Sequence, residues 1–321
     1  MLLQRIASAL GARVIGRPEP LQQLWSGYGQ IVRLQLSDRS VIVKQVQPPA
    51  AARNASAAER RSHARKLRSY AVEMCFYERY ARRCSTACRV AQALLCEASG
   101  EGWLFVLEDL DAAGFDQRRA SLPLPAARAC LAWLACFHAI FLGDEADGLH
   151  ATGTYWHLET RPDELERMGD LELRAAASWL DARLREARYR TLVHGDAKTE
   201  NFCFSRDLTS VAAVDFQYVG RGCGMQDVAY FLSCLDESAL QEHAESLVNV
   251  YFEVLRGALH PDVDAAALEA EWRELYPIAW ADFVRFMDGW APSYPARLGY
   301  AAHMVERALA ARSGATQAQE T

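Results

Sequence analysis

Residues 31–36 (IVRLQL) and 41–46 (VIVKQV) are apolar runs rich in β-branched side chains, and the polar SDRS between them predicts a hairpin. In the second run, the period of two puts Ile42, Lys44 and Val46 on one face. Further along, Glu73, Phe76, Tyr77 and Tyr80 recur at i, i+3, i+4 and i+7, predicting a helix that sets a carboxylate beside three aromatic rings. Residues 103–107 (WLFVL) read as a further strand. After Pro123 and Pro125, residues 126–142 are apolar broadly enough for a buried helix, in which His138 reads as a core histidine. A helical, charge-rich stretch follows from Pro162 to Arg190. Residues 202–204 and 211–214 predict a second short hairpin across 205–210, and 220–224 (GRGCG) predict a loop. Asp227 suits the N-terminal end of a helix beginning DVAYFL.

Chemistry enters where polar groups interrupt these patterns. A lysine between apolar neighbours and an inward carboxylate each need a counter-charge, because an unpaired buried charge costs several kcal/mol. Lys44 and Glu73 are therefore predicted partners, with Glu78 as the alternative and a surface lysine facing solvent as the competing arrangement. Before the first hairpin, Gly27 and Gly29 in LWSGYGQ would let backbone N–H groups approach a phosphate, though the same pair also suits a plain turn. In LVHGDAKTEN, Asp196 and Asn201 lie five apart, and Asp215 opens VDFQ behind the second hairpin. That hairpin is expected to bring Asn201 and Asp215 side by side, as two hard oxygen ligands of the kind that suit Mg²⁺ with substrate phosphates. Asp196 is then left to act as a base.

Length and composition bound this reading. A chain of 321 residues that is 51% hydrophobic can bury one large core or two lobes. Its formal net charge of −6 supplies no basic footprint for nucleic acid. Nine cysteines occur without paired CxxC spacing, which argues against a disulfide framework or zinc ribbon and suggests reduced thiols in the cytoplasm. Cys84 and Cys88 lie four apart, but no neighbouring His completes a metal site. Residues 1–16 lack the features of a secretory signal, and the longest apolar run, 129–142, falls short of the roughly 20 residues that span a bilayer. Nothing calls for a membrane, a nucleic acid or an obligate protein partner. Arg53, Arg60, Arg61, Arg65, Lys66 and Arg68 read as a solvated face or mobile loop, with a basic rim attracting ATP as the alternative.

HGDAKTEN followed by VDFQ resembles the catalytic and metal-binding segments of the protein-kinase-like small-molecule kinases: aminoglycoside phosphotransferases, choline kinases and the ecdysteroid-kinase-like group. Protein kinases carry H-R-D-x-x-x-x-N and D-F-G at the corresponding places. Here Gly195 and Gln217 replace the Arg and the Gly, as in the small-molecule branch. EMCFYERY resembles the glutamate-bearing helix of the ecdysteroid-kinase-like group, and YWHLETRP and DFVRFMDGW resemble segments of its bacterial members. The resemblance implies an α+β, two-lobed fold: a sheet-rich lobe over 1–108 that clamps ATP and a mainly helical lobe over 109–321. It implies that Lys44, held by Glu73, contacts the nucleotide phosphates, and that backbone groups from Glu108 to Leu110 hold the adenine. Asp109 and Asp111 equally suit simple capping. Lys198 reads either as a phosphate contact or as a surface lysine, and His194 as a residue that shapes the loop. For Asp227 the resemblance adds a tie between its helix and the catalytic loop.

The expected activity is ATP- and Mg²⁺-dependent phosphorylation of a hydroxyl on a small molecule. A catalytically silent nucleotide-binding module is the rival, and a protein kinase is disfavoured because no A-P-E segment follows Asp215. The acceptor pocket is expected from the final third, with Trp280, Asp282, Arg285, Phe286, Asp288, Trp290 and Tyr294 as candidate lining. Aromatics and carboxylates there would suit a cationic head group. The same residues would also fit a helix that packs its rings inward and shows its Asp residues to solvent.

Overall fold

Alternating apolar residues, capped helix starts and glycine-bearing turns produce a mixed α+β structure. A computed structural model describes residues 2–49, 55–100, 102–293 and 299–319. In chain order the first elements are α1 (Leu2–Ala9), β1 (Glu19–Gln23), β2 (Gly29–Gln35), β3 (Ser40–Val46), α2 (Ala57–Cys75), β4 (Arg89–Val90), β5 (Ala93–Ser99) and β6 (Gly102–Glu108). There follow α3 (Leu124–Ile140), α4 (Pro162–Glu166), α5 (Leu171–Arg185), β7 (Thr191–Val193), β8 (Phe202–Phe204), β9 (Val211–Ala213) and β10 (Gly220–Gly222). The chain closes with α6 (Met225–Leu232), α7 (Glu237–Ala258), α8 (Ala265–Trp290) and α9 (Gly299–Gln319). It divides into two units, one of residues 1–118 with 203–217 and the other of 119–202 with 218–321. The boundary therefore falls after Arg118, and the second hairpin is counted with the first unit.

In the first unit an antiparallel sheet runs in the order β1-β2-β3-β6-β5. The period of two sorts its faces. Val32, Leu34, Val41, Val43, Leu104 and Val106 bury against Ile6 and Ala7 of α1. Lys44 stands on the opposite face, in register with Phe105 of β6. Arg53 lies outside the described residues; Arg60, Arg61, Arg65, Lys66 and Arg68 lie in α2, with Arg60, Arg61 and Arg68 exposed, so this is a solvated helical face and not a loop. A capping box in which Ser56 and Glu59 satisfy each other's backbone N–H groups starts α2, so local chemistry orders a segment that has no apolar period of its own. A π-helical turn, Phe76–Tyr80, continues it. A smaller sheet has the order β4-β9-β8, with β4 parallel to β9. Phe216, just beyond β9, stacks on Phe76 at 3.9 Å.

The second unit is mainly helical. Pro123 caps α3 and Pro125 sits in its first turn, where a missing N–H costs no helical bond. Trp133, Phe137 and His138 of α3, Tyr251 of α7, and Trp272 and Trp280 of α8 are buried in its core. Helix α3 packs on α7, and α8 packs on α5, α6 and α9. A two-stranded antiparallel ribbon, β7 with β10, pairs Val193 with Gly220 and Thr191 with Gly222. Residues 220–222 are thus a strand where their glycines predict a loop. Gly220 lies so close to His150 and Gly153 that a side chain would collide there, so the glycines serve close backbone approach. No helix among the described residues is long and apolar enough to cross a membrane.

Leu34 is fully buried in the first-unit core, so Leu34→Ala should cost about 2–5 kcal/mol. Hydrogen exchange should show lost protection across β2, β3 and β6, and unchanged protection there would mean this core does not hold the sheet together.

Candidate active site

The candidate residues gather in two clusters, one in each unit. In the first, the period-two placement of Lys44 meets the helical face of Glu73. The Lys44 ammonium donates to both carboxylate oxygens of Glu73, at 2.7 and 2.8 Å, and Asp215 Oδ1 lies 3.6 Å away. The rings of Tyr70 and Phe105 flank the ammonium at 5.5 and 5.8 Å. Burial works against the charged lysine, but Glu73 and then Asp215 overcome it and hold its pKa above the ordinary value. Burial also pushes the Glu73 carboxyl up to about 7, opposed by Lys44 and assisted by Asp215. Glu78 is exposed, so Glu73 is the partner.

Asp215 has a φ of 67°, in the left-handed region that few non-glycine residues adopt. A relay through Gln217 holds its side chain there: Gln217 Nε2 donates to Asp215 Oδ1 at 2.6 Å, and Ser69 of α2 donates to Gln217 Oε1 at 3.0 Å. The sequence treats Gln217 only as a replacement for glycine, whereas the structure makes it a clamp. Gly29 has a φ of 139° and lies against the Gln45 carbonyl so closely that a Cβ would clash. Gly27, with a φ of 73°, has open space around it. At the end of β6, Glu108 accepts from Arg89 at 2.5 Å and from the Gln92 N–H at 3.0 Å. The Leu110 carbonyl accepts from Ala113 and Phe115. Asp109 and Asp111 both pair with Arg33 of β2, and Asp109 also takes the Asp111 N–H, so their role is structural.

In the second unit, Asp196 is buried at the centre of a polar group. Its Oδ2 accepts from the Asn201 amide at 2.9 Å and lies 3.2 Å from the Lys198 ammonium, while Tyr230 donates to Oδ1 at 3.3 Å. Asn201 also donates to the Asp196 carbonyl at 2.7 Å, which spends its amide N–H groups on the loop and leaves the amide oxygen for a cation. Tyr230 is the member the sequence reading missed, although its place three residues after Asp227 sets it on the same helical face.

The loop itself hangs from Asp227. This fully buried carboxyl accepts the His194 N–H at 2.6 Å and the Gly195 N–H at 2.9 Å, and it lies 3.1 Å from His138 Nε2. His138 Nδ1 in turn bonds the Tyr251 hydroxyl at 2.7 Å, so His138 is a satisfied core histidine. Gly195 has a φ of 78°, and a Cβ there would strike the Tyr218 carbonyl and the Thr154 N–H. His194 Nδ1 accepts the Asp196 N–H at 3.3 Å, shaping the turn.

The expected acceptor lining divides. Trp280 is buried against Tyr276 and Tyr300. Asp282 does not face solvent: it is buried, taking Arg285 Nε at 2.9 Å and Trp156 Nε1 at 3.1 Å. Asp288 accepts the Gly169 and Asp170 N–H groups. Tyr294 lies outside the described residues. Phe286 remains in a file of rings, Tyr230, Tyr155, Phe286 and Trp290, with neighbouring centroids 5.3 to 5.7 Å apart. It ends at Trp290, which is 55% exposed, and the Arg161 guanidinium lies 5.2 Å over Phe286. All nine cysteines are free thiols, and no cluster of His, Cys, Asp and Glu suited to a metal occurs among the described residues.

Over residues 154–261 the chain matches the model of the Ecdysteroid kinase-like family. No curated protein matches it. Macrolide 2′-phosphotransferase MphH from Brachybacterium faecium superimposes with a TM-score of 0.52 at 14% identity, covering 97% of this chain and 96% of the other. A microcompartment-associated aminopropanol kinase gives 0.51 at 13% identity, covering 95% and 93%. At these identities the likeness establishes the fold. The family match spans 154–261, about a third of the chain, and is a similarity of that stretch.

Two outcomes follow from the geometry. Asp227→Ala strips the acceptor from two buried N–H groups and from His138, at about 1–3 kcal/mol for each group left unsatisfied. Chemical denaturation should register a loss of several kcal/mol, and wild-type stability would show that the loop does not hang from this carboxyl. Lys44→Ala, Glu73→Ala and the double variant should show coupling of about 0.5–3 kcal/mol in unfolding free energy, where independent sites would simply add.

Proposed function

We propose that the protein transfers the γ-phosphoryl group of ATP to a hydroxyl of a small molecule, with Mg²⁺ as the metal. The observation that carries this reading is the buried Asp196 carboxylate, fixed by Asn201, Lys198 and Tyr230 on a loop whose preceding N–H groups are tied down. A carboxylate so placed takes the acceptor proton as the oxygen attacks phosphorus, the bond to the β-phosphate oxygen breaks, and ADP leaves. Lys198 would steady the charge on the transferred group. Lys44, oriented by Glu73, would contact the nucleotide phosphates, with the N–H groups around Gly27 and Gly29 beside them and backbone groups from Glu108 to Leu110 against the adenine. Mg²⁺ would neutralise phosphate charge. Asp215, 35% exposed and set by Gln217, and the amide oxygen of Asn201 have the hard-oxygen chemistry to hold it.

Calorimetry should detect Mg·ATP binding, and mass spectrometry over a library of hydroxylated metabolites should then find a product heavier by one phosphoryl group. Asp196→Asn should cut turnover by about 10²–10⁴-fold while nucleotide affinity holds, whereas Asp215→Asn should weaken metal-dependent binding as well. Wild-type turnover by Asp196→Asn would remove the assigned base. Nucleotide binding with no product from any acceptor would favour the silent module.

A further inference from the structure

The second unit contains a cavity of about 320 Å³ whose lining includes Thr152, His157, Asp181, Arg190, Arg221 and Gln226, and from which Asp196 is absent. Its volume falls within the range of small-molecule sites, about 300–1,000 Å³. Several polar groups on its wall are unspent. Arg190 is half-buried, and its guanidinium makes no ion pair or hydrogen bond among the described residues. Arg221 gives its two terminal nitrogens to the exposed Glu145, but its Nε is buried without a partner. His157 is only 6% exposed and its Nε2 has no hydrogen-bond partner, the nearest Asp181 oxygen being 3.5 Å away.

The charges on the wall select the occupant. Of the acids, Asp181 holds Arg185 at 2.9 Å and both oxygens of Asp282 are taken by Arg285 and Trp156, while Glu186 is exposed to solvent. At Asp181 and Asp282 a cation would therefore compete with pairs already made, and inside the cavity it would face the guanidinium groups of Arg190 and Arg221. An oxyanion instead meets N–H donors that a guanidinium presents in a fork suited to carboxylate or phosphate. His157 is kept neutral because burial lowers its pKa, so it suits an uncharged hydroxyl on the same molecule. Leaving such buried groups unmatched costs about 1–3 kcal/mol each, a cost a ligand would remove.

We propose that this cavity binds a small hydroxylated organic anion, a carboxylate or phosphate monoester, with its oxyanion on Arg190 and Arg221 and its hydroxyl toward His157. Arg190 immediately precedes β7 and Arg221 lies in β10 opposite Leu192. A ligand bridging them ties together the ribbon that leads into His194, Gly195 and Asp196. The site stands independently of the phosphotransfer reading.

The test is calorimetric titration of the full chain with malate and, separately, glycerol 3-phosphate, with glycerol as the uncharged control. At least one anion should bind saturably at one site while glycerol does not. Arg190→Gln, at a half-buried side chain with no partner to lose, should weaken binding by about tenfold or more, as should Thr152→Trp, which fills the cavity. Lys44→Ala should leave it unchanged. Hydrogen exchange at Leu192 and Val193 should slow when the anion is bound. Both anions binding identifies an oxyanion site, and one alone identifies which source it prefers. Binding of neither, binding that survives both Arg190→Gln and Thr152→Trp, or binding lost in Lys44→Ala would overturn the proposal.

Discussion

The Asp227 carboxyl is the constraint on which the second unit's chemistry depends. A fully buried carboxyl is tolerable only where donors surround it, and here the donors are the backbone of the loop that carries Asp196, at His194 and Gly195, with His138 behind. Desolvation and loop geometry thereby become one requirement, since the loop cannot leave its conformation without stranding the carboxyl. Gly195 supplies the positive φ that the turn needs, and the pedestal beneath reaches Tyr251 through His138. Asp227 thereby helps to position Asp196 through the backbone of the two residues before it.

The first unit applies the same logic with charges. Lys44 and Glu73 are buried, and the cost of burying them is offset while they stay paired, with the partly exposed Asp215 3.6 Å from the ammonium. Burial pushes the Glu73 carboxyl up to about 7 despite the adjacent lysine, so the desolvation of this carboxylate is only partly offset by its partner. Asp215 adds a left-handed backbone to that cost, and its side chain is kept in place from α2 through Ser69 and Gln217. Uncommon conformations of this kind persist where the surroundings over-determine them.

What the sequence made legible follows from periodicity and from charge. The faces of β3 and of the Glu73 helix were readable because an apolar surround makes a lone charge demand a partner, and HGD with Asn five residues on carries a spacing that ordinary turns do not require. Other features were hidden because their causes lie far off in the chain. The basic segment has no apolar period, and only the Ser56 and Glu59 box announces α2. Residues 220–222 form a strand because β7 offers them an edge. Asp282 reads as acceptor lining or as a solvated carboxylate until Arg285 and the Trp156 indole are seen to bond it. Tyr230 and Gln217 carry no motif of their own, and their contacts appear only once the partners are assembled.

The composition of the first unit bears on how the chain emerges from the ribosome. Residues 1–118 are synthesised well before 203–217: the 84 residues 119–202 separate them, and 99 must be added before residue 217 is reached. At roughly 5–20 residues per second the delay is about 5–20 s. During that time β4 has no parallel partner, the Phe76 ring lacks the Phe216 face, and Lys44 and Glu73 lack Asp215. An unpaired strand edge beside uncovered aromatic rings is a template for association between nascent chains. Truncations ending near residue 118 would hold the polypeptide permanently in that state, so the first unit is a domain in space without being a separable segment of the gene product.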